Sequence, residues 1–231
     1  MQDCRYTWLG QRPYRPTWDL QQQLVQARIQ GRVPNVLLFV EHPPTYTLGR
    51  RGDPANLLVA EAELARQGTE FVPVDRGGDI TYHGPGQLVG YPILDLAAWN
   101  SDLHLYVRKL EEVLIRALAG YGLAAERIAG LTGVWVGGNK VAAIGVKVSR
   151  GVTSHGFALN VTTDLGYFSQ IIPCGITDHG VTSLAALLGT APTMAEVRER
   201  VTAAFGEVFE LRLAPIEPAE LEGLLDAGPQ R

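Results

Sequence analysis

The sequence has few cysteines, little net charge and no long apolar run. Its 231 residues include two cysteines, Cys4 and Cys174, without CxxC spacing, so neither a disulfide framework nor a zinc site is indicated. Charged residues make up 19% and the net charge is −4, which argues against a nucleic-acid binder. The longest clean apolar run, Val36 to Val40, is far shorter than the roughly 18 residues that a membrane helix needs. We therefore expect no metal, no nucleic acid and no membrane among the binding partners.

The beginning of the chain, MQDCRYTWLG, lacks the basic and apolar segments of a signal peptide, which predicts a cytoplasmic location with free thiols. Neither a GxGxxG nor a GxxxxGK[ST] pattern occurs, so we expect no dinucleotide and no P-loop nucleotide. Hydrophobic residues amount to 46%, enough for a substantial core, and no repeat or linker precedes the tail near 227–231. Residues 1–231 are therefore predicted to form a single domain.

Helical and strand patterns alternate loosely along the chain. Asp19 and Gly31 are the expected cap and stop of a first helix, and Thr193 with Glu196 forms a capping box that opens the last one. A central helix is predicted at 102–120, and strands are predicted at 35–41, 71–75, 87–94, 134–136, 140–148 and 155–161. The expected fold class is α/β or α+β, with a mixed, partly antiparallel sheet flanked by helices.

A glycine-rich connection runs from Arg76 to Gly86 with the sequence RGGDITYHGPG. Glycines permit positive φ and bring backbone N–H groups close to a ligand, while Arg76 and His83 supply polar contacts at either end. The segment is typical of a binding loop. An ordinary pair of turns beside a strand is the alternative.

Two further residues suggest chemistry. Cys174 lies between a proline and a glycine in IIPCGI, which suits an exposed nucleophile, although a buried cysteine acting as a small apolar residue is the alternative. Lys140 begins a strand whose period-two alternation puts it on one face with Ala142, Ile144 and Val146. If buried there, it would serve as a base; otherwise it reaches water along its alkyl stem. His83 and His155 are the two histidines considered for catalysis, so a Cys–His pair rivals a Cys–Lys pair.

Four blocks of sequence, RGGDITYHGPGQL (76–88), KVAAIGV (140–146), HGFALNV (155–161) and IPCGI (172–176), closely resemble the lipoyl(octanoyl) transferase family. The resemblance extends from about His42 to Leu184. It implies the fold shared with biotin and lipoate protein ligases, an acyl-thioester cysteine at Cys174 and an activating lysine at Lys140. The substrate-binding residues that it implies are Arg76, Gly77, Gly78, Asp79, Ile80, Thr81, Tyr82, His83, Ala143, Ile144, Gly145, Gly156, Phe157 and Ala158.

The implied reaction moves an octanoyl or lipoyl group from acyl carrier protein to a lysine of lipoyl domains in 2-oxoacid dehydrogenase complexes and of the glycine cleavage H protein, without a cofactor. We expect an apolar slot for the acyl tail with walls from Tyr82, Ala143, Ile144, Phe157 and Ala158, and a carrier-protein docking patch from Arg12, Arg15, Arg50, Arg51 and Arg150. The alternatives are an ATP-dependent ligase on the same scaffold, a cysteine hydrolase, and a binding module without turnover.

Overall fold

The computed structural model describes residues 2–99, 101–172 and 179–226. Within these ranges, no helix is long and apolar enough to cross a membrane. In the same residues, no three histidine, cysteine, aspartate or glutamate side chains come together in a group that could hold a metal ion.

A large mixed sheet forms the centre of the molecule. Its strands are β1 (Gln2–Gln11), β2 (Asn35–Glu41), β6 (Gln87–Ile93), β7 (Ala125–Ile128), β8 (Leu131–Val136), β9 (Asn139–Ser149), β10 (Val152–Asn160) and β11 (Leu211–Pro215). In the described part of the chain they follow the order β11-β1-β2-β6-β10-β9-β8-β7. The pairs of β1 with β11 and with β2 are parallel, and the other neighbouring pairs are antiparallel. The predicted fold class is confirmed.

A second, smaller sheet contains β3 (Thr45–Leu48), β4 (Glu70–Pro73) and β5 (Ile80–His83). The central strand β3 pairs with β4 in parallel and with β5 in antiparallel orientation. Since β5 is the second half of the segment from Arg76 to His83, this sheet holds the glycine-rich connection in place.

Six α-helices lie within the described residues. They are α1 (Tyr14–Ile29), α2 (Glu61–Arg66), α3 (Leu103–Ala119), α4 (Leu184–Leu188), α5 (Met194–Phe209) and α6 (Pro218–Asp226). Helices α3 and α5 share one core cluster with Leu37 and Phe39 of β2, whereas α1 and α6 share another with Val36 and Leu38. Because both faces of β2 are covered, its apolar residues run continuously instead of alternating.

Several predicted elements have the observed bounds. Strand β2 and helix α3 lie where they were expected, and the carboxylate of Asp102 accepts the N–H groups of His104 and Leu105 at the start of α3. The capping box of Thr193 and Glu196 is present.

The predicted start of α1 is wrong. The helix begins at Tyr14, five residues before Asp19, and has Pro16 in its first turn. Proline is tolerated there because N–H groups of the first turn have no acceptor within the helix.

Candidate active site

A cavity of about 470 Å³ lies against β9, β10 and the glycine-rich connection. Its lining includes nearly all the residues that the resemblance assigned to substrate binding, among them Ala143, Ile144, Phe157 and Ala158, together with Lys140. Residues that were not predicted also line it, namely Tyr14, Gln87, Val89, Tyr91, Leu103, His104, Val107, Arg108, Gly130, Leu131, Thr132, Val146, Asn160, Phe168 and Val181. The structure therefore brings three segments that are distant in sequence to one concave surface.

The cavity lies where β8 leaves the edge of β9, and its lining includes Leu131 and Thr132 of β8. The pairing of β8 with β9 covers only Asn139, Lys140 and Ala142, so the rest of β9 lacks a β8 partner. The N–H of Gly77 bonds to the carbonyl oxygen of Val146 at 2.9 Å, which ties the glycine-rich connection to this edge.

Glycines permit this close approach. A Cβ atom on Gly145 would lie 3.0 Å from Cδ of Arg76 and 3.2 Å from the oxygen of Gly77. Gly78 adopts a φ of 87°, in the region that favours glycine.

Arg76 is a buried structural cation at one wall. Its guanidinium donates at 2.8 Å to the carbonyl oxygen and at 2.9 Å to the hydroxyl of Thr47, and at 3.1 Å to the oxygen of Gly77. These bonds fix the first residue of the glycine-rich connection to the small sheet. Since its exposed fraction is 6%, the side chain contributes a rigid positive charge to the wall.

Asp79 holds the chain that leads toward Cys174. Its carboxylate accepts the N–H groups of Ile80 at 2.7 Å and Asp53 at 3.2 Å, and the side-chain amide of Asn56 at 2.5 Å. The carbonyl oxygen of Asn56 in turn accepts the N–H of Ile172 at 2.9 Å. These contacts thus connect the cavity wall to Ile172, two positions before the predicted nucleophile.

The prediction for Tyr82 as a wall of the acyl slot is wrong. Tyr82 is not among the residues that line the cavity, and its ring stacks on that of Tyr167 at a centroid distance of 4.5 Å. Tyr46 and Phe168 complete this aromatic cluster. Thr81 and His83, which precede and follow Tyr82 in the sequence, line the cavity.

Lys140 does not share a face with Ala142, contrary to the prediction. Trp135 pairs with Lys140 and Val134 pairs with Ala142, so Val141 is an extra residue, a β-bulge that shifts the alternation by one. Val134, Val141 and Ala142 pack into the core beneath α3. The side chain of Lys140 instead extends over the ring of Trp135, with Nζ 4.7 Å from the ring centroid.

A chain of hydrogen bonds connects His83 to the backbone of Lys140. Nδ1 of His83 donates to the amide oxygen of Gln87 at 2.9 Å, and the amide of Gln87 donates to Asn160 at 3.0 Å. The amide of Asn160 donates to the oxygen of Thr182 at 3.0 Å, and the N–H of Thr182 donates to the oxygen of Lys140 at 2.9 Å. Because Nδ1 of His83 carries the proton, Nε2 is its acceptor atom.

Two further histidines have fixed tautomers: His155 lines the cavity, and His42 lies behind the lining, with its ring centroid 5.8 Å from that of His83. His155 donates from Nε2 to Asp75 at 2.8 Å, and Nδ1 lies 3.5 Å from the hydroxyl of Tyr14. His42 donates from Nδ1 to the oxygen of Arg12 at 2.7 Å and accepts from the hydroxyl of Tyr91 at 2.8 Å.

Burial keeps these imidazoles neutral. It lowers the pKa of His42 to about 4, and it holds the pKa of His83 well below the usual value, with the imidazole of His42 acting in the same direction. Burial also lowers the pKa of His155 and outweighs the Asp75 carboxylate. Hydrogen bonds from His155 and Lys147 hold the pKa of Asp75 far below its usual range. At neutral pH, His42, His83 and His155 are therefore uncharged hydrogen-bond donors and acceptors.

Cys174 lies outside the described residues, so its predicted contact with Lys140 stays a prediction. The chain on both sides of residues 173–178 is anchored: Ile172 bonds to Asn56, and the N–H of Lys140 donates to the oxygen of Gly180 at 2.9 Å.

The arginines predicted to dock the carrier protein are divided among separate contacts. Arg12 pairs with Glu222, Arg15 pairs with Glu70, and Arg150 donates to Gln26. Arg51 lines the cavity. Of the predicted arginines, Arg51 is thus the one placed at the site.

The sequence contained signals for three of the missed cavity residues, Tyr14, Gln87 and Asn160. Pro13 and Pro16 flank Tyr14 and mark the first turn of α1, so an earlier start would have placed Tyr14 on that helix. The blocks that carried the resemblance include Gln87 and Asn160, which our selection of candidates omitted.

Comparisons with known proteins agree with this geometry. The family described as the lipoyl protein ligase A/B catalytic domain matches residues 13–206. An octanoyltransferase of Chloroflexus aurantiacus is 57% identical over 207 residues, which cover 88% of this chain and 93% of that protein.

Solved structures with low sequence identity share the fold. A bipartite lipoate protein ligase of Thermoplasma acidophilum superposes with a TM-score of 0.72 at 18% identity, over 98% of this chain and 91% of that one. A biotin protein ligase of Aquifex aeolicus gives a TM-score of 0.52 at 16% identity, over 91% of this chain and 70% of that one. The chain belongs to the octanoyltransferases, acyltransferase enzymes within the lipoyl protein ligase A/B catalytic-domain family.

Proposed function

We propose that this enzyme transfers an octanoyl group from acyl carrier protein to a lysine of lipoyl domains, through a thioester on Cys174, with Lys140 as the proton acceptor. The lipoyl domains of 2-oxoacid dehydrogenase complexes and the glycine cleavage H protein are the proposed acceptors. The reaction needs no cofactor in this scheme, because the thioester donor is already activated. The proposed location of the reaction is the cytoplasm.

The observation that carries the proposal is an apolar cavity wall that lies beside a lysine. Ala143, Ile144, Phe157 and Ala158 supply aliphatic and aromatic surface next to Lys140. Burying about six methylenes of an octanoyl tail on such a wall contributes roughly 5 kcal/mol, at about 0.8 kcal/mol each. Very short acyl chains would lose most of this free energy, so the wall favours a medium-chain substrate.

The anchors around residues 173–178 support a role for Cys174 at this cavity. Covalent geometry keeps the Cα atom of Cys174 within about 7 Å of the Cα atom of Ile172, two residues away. Ile172 is bonded to Asn56, which Asp79 of the cavity wall holds, and Gly180 is bonded to Lys140. We therefore propose that Cys174 acts at the cavity that Lys140 lines.

The transfer has two balanced steps. The Cys174 thiolate attacks the carbonyl carbon of the donor thioester, a C–S bond to Cys174 forms, and the carrier's C–S bond breaks. The departing thiolate takes up a proton from Lys140, which leaves Lys140 as the neutral amine. In the second step the amine of the acceptor lysine attacks the Cys174 thioester, Lys140 accepts the proton that the amine loses, and the Cys174 thiolate is released.

Intact-mass spectrometry tests this scheme. The enzyme is mixed with octanoyl acyl carrier protein without ATP, and a lipoyl domain is added afterward. We expect one octanoyl adduct on the wild type that passes to the lipoyl domain, and no adduct on Cys174→Ser. Cys4→Ser is the matched control, because burial raises the pKa of the Cys4 thiol to about 12 and leaves it unreactive.

Other outcomes identify the alternatives. Transfer that survives Cys174→Ser would contradict the thioester. A requirement for ATP would indicate a ligase, and release of octanoic acid without a lipoyl domain would indicate a hydrolase.

A further inference from the structure

Trp135 lies between Lys140 and His179 in a buried position. Nζ of Lys140 is 4.7 Å from the centroid of the indole, and the ring of His179 meets the indole edge to face at 5.1 Å. The exposed fraction of Trp135 is 1%. The indole therefore presents a π face to the one lysine that lines the cavity among the described residues.

Packing alone does not account for a tryptophan at this position. Within the described ranges, the indole Nε1 is buried without a hydrogen-bond partner. A buried donor that loses its bond to water is costly, and a phenylalanine would fill much of the same space without that cost. The indole, however, gives the strongest attraction to a cation of the aromatic side chains.

Gly133 of β8 and the indole of Trp135 together form a slot for the aliphatic stem of Lys140. A Cβ atom on Gly133 would lie 3.4 Å from Cε and 3.6 Å from Cδ of Lys140, and 2.8 Å from the carbonyl oxygen of Ala142. Gly133 has a φ of 133°, and its N–H donates at 3.2 Å to the buried carboxylate of Glu111 on α3. The stem of Lys140 thus lies over Gly133, and the hydrogen bond to Glu111 holds Gly133 in position.

We propose that Trp135 is a positioning residue for the transfer: its π face and the slot at Gly133 hold the Lys140 ammonium at the cavity wall. This role rests on the proposed function of Lys140. The cation–π contact favours the charged lysine, which in turn favours a nearby thiolate before the acyl group arrives. The lysine gives up its proton during the first step and is then the acceptor for the incoming amine.

The test is the pH dependence of Lys140 reactivity in the resting enzyme. The chain contains three lysines, Lys109, Lys140 and Lys147, so trace labelling with acetic anhydride and peptide mass spectrometry resolves each of them. A cation–π contact changes the ratio of ammonium to amine by a factor of about 3 to 30. We therefore expect Trp135→Leu to move the labelling midpoint of Lys140 to lower pH by about 0.5 to 1.5 units.

A graded series separates the π face from simple volume. Trp135→Tyr should stay nearest to the wild type, Trp135→Phe should be intermediate, and Trp135→Leu should shift most. Phenylalanine and leucine both leave space where the indole was, but only phenylalanine keeps a π face. Equal midpoints for folded Trp135→Phe, Trp135→Leu and the wild type would overturn the proposal. If Trp135→Leu does not fold, the tyrosine and phenylalanine variants still decide it.

Trp8 offers a matched control, since Arg198 lies over its ring at 5.0 Å on another part of the molecule. Trp8→Leu should leave the Lys140 midpoint unchanged, and a shift as large as that of Trp135→Leu would count against a local effect.

Single-turnover transfer of octanoyl groups supplies a second readout. We expect the rate at neutral pH to fall about 3-fold to 30-fold in Trp135→Leu and to recover in Trp135→Tyr. A shifted midpoint in an enzyme whose wild type forms no octanoyl adduct would overturn the proposed function, and with it the role of Trp135 in the transfer, but would still show that Trp135 holds the Lys140 ammonium. An unshifted midpoint in an enzyme that forms the adduct normally would contradict the role of Trp135 and leave the proposed function intact.

Discussion

The buried carboxylate of Glu111 supports the strand that carries Gly133 and Trp135, and its removal is the sharpest test of that support. It accepts from Arg108 at 2.6 Å, from Arg127 at 3.0 Å and from the N–H of Gly133 at 3.2 Å. Glu111→Gln keeps the shape but removes the charge that both guanidinium groups face. Hydrogen bonds to charged groups contribute about 1.5 to 3 kcal/mol each.

The net loss is smaller than the sum of the two bonds. The side chains of Arg108 and Arg127 are 54% and 34% exposed, so water solvates them once the carboxylate is gone. We therefore expect Glu111→Gln to lower the free energy of unfolding by about 2 to 3 kcal/mol. For a domain of this size the Tm should fall by about 5 to 10 °C.

The adjacent Glu112 provides the matched control on the same helix. It pairs with Arg116 and Arg127 but is 33% exposed, and surface pairs of this kind contribute less than about 1 kcal/mol. Urea unfolding of Glu111→Gln and Glu112→Gln compares the two directly. Equal losses of stability would refute the reasoning, as would an unchanged transfer rate in a destabilised Glu111→Gln enzyme, because the slot for Lys140 depends on Gly133.

Three other predictions concern the cavity and the residues around it. A Cβ atom on Gly90 would lie 2.2 Å from the ring of Phe157, so Gly90→Ala should displace that ring and move the preference toward acyl chains shorter than octanoyl, measured with a series of acyl carrier protein thioesters. Unfolded chains protonate His42 near pH 6.5 whereas burial lowers its folded pKa to about 4, so stability should fall by about 3 kcal/mol as pH drops through that window; His42→Gln should flatten this dependence in urea titrations. Asp79→Asn can place an N–H donor opposite the amide of Asn56, which now donates to the Asp79 carboxylate. Transfer should therefore slow while the circular dichroism spectrum stays unchanged, and full activity would show that the link to Ile172 is dispensable.

Local sequence patterns predicted the features that neighbouring residues determine. The apolar run of β2, the helix predicted at 102–120 and the capping box at Thr193 depend on side chains within a few positions, and all three are observed. The two glycines at 137 and 138 likewise form the turn between the strands predicted at 134–136 and 140–148, with φ values of 56° and 78°. The motif blocks also indicated the family and most of the cavity lining.

Tertiary structure decided which way the important side chains face. The bulge at Val141 arises from the pairing of β8 with β9, so a strict alternation along the sequence puts Lys140 on the wrong face. Tyr82 turns toward Tyr167, which is 85 positions away in sequence, because burial of two aromatic rings outweighs any local preference. The sequence by itself determined the elements, the family and the chemistry on offer, whereas packing between distant segments set the orientation of each side chain, since burial and strand pairing depend on partners that no local pattern specifies.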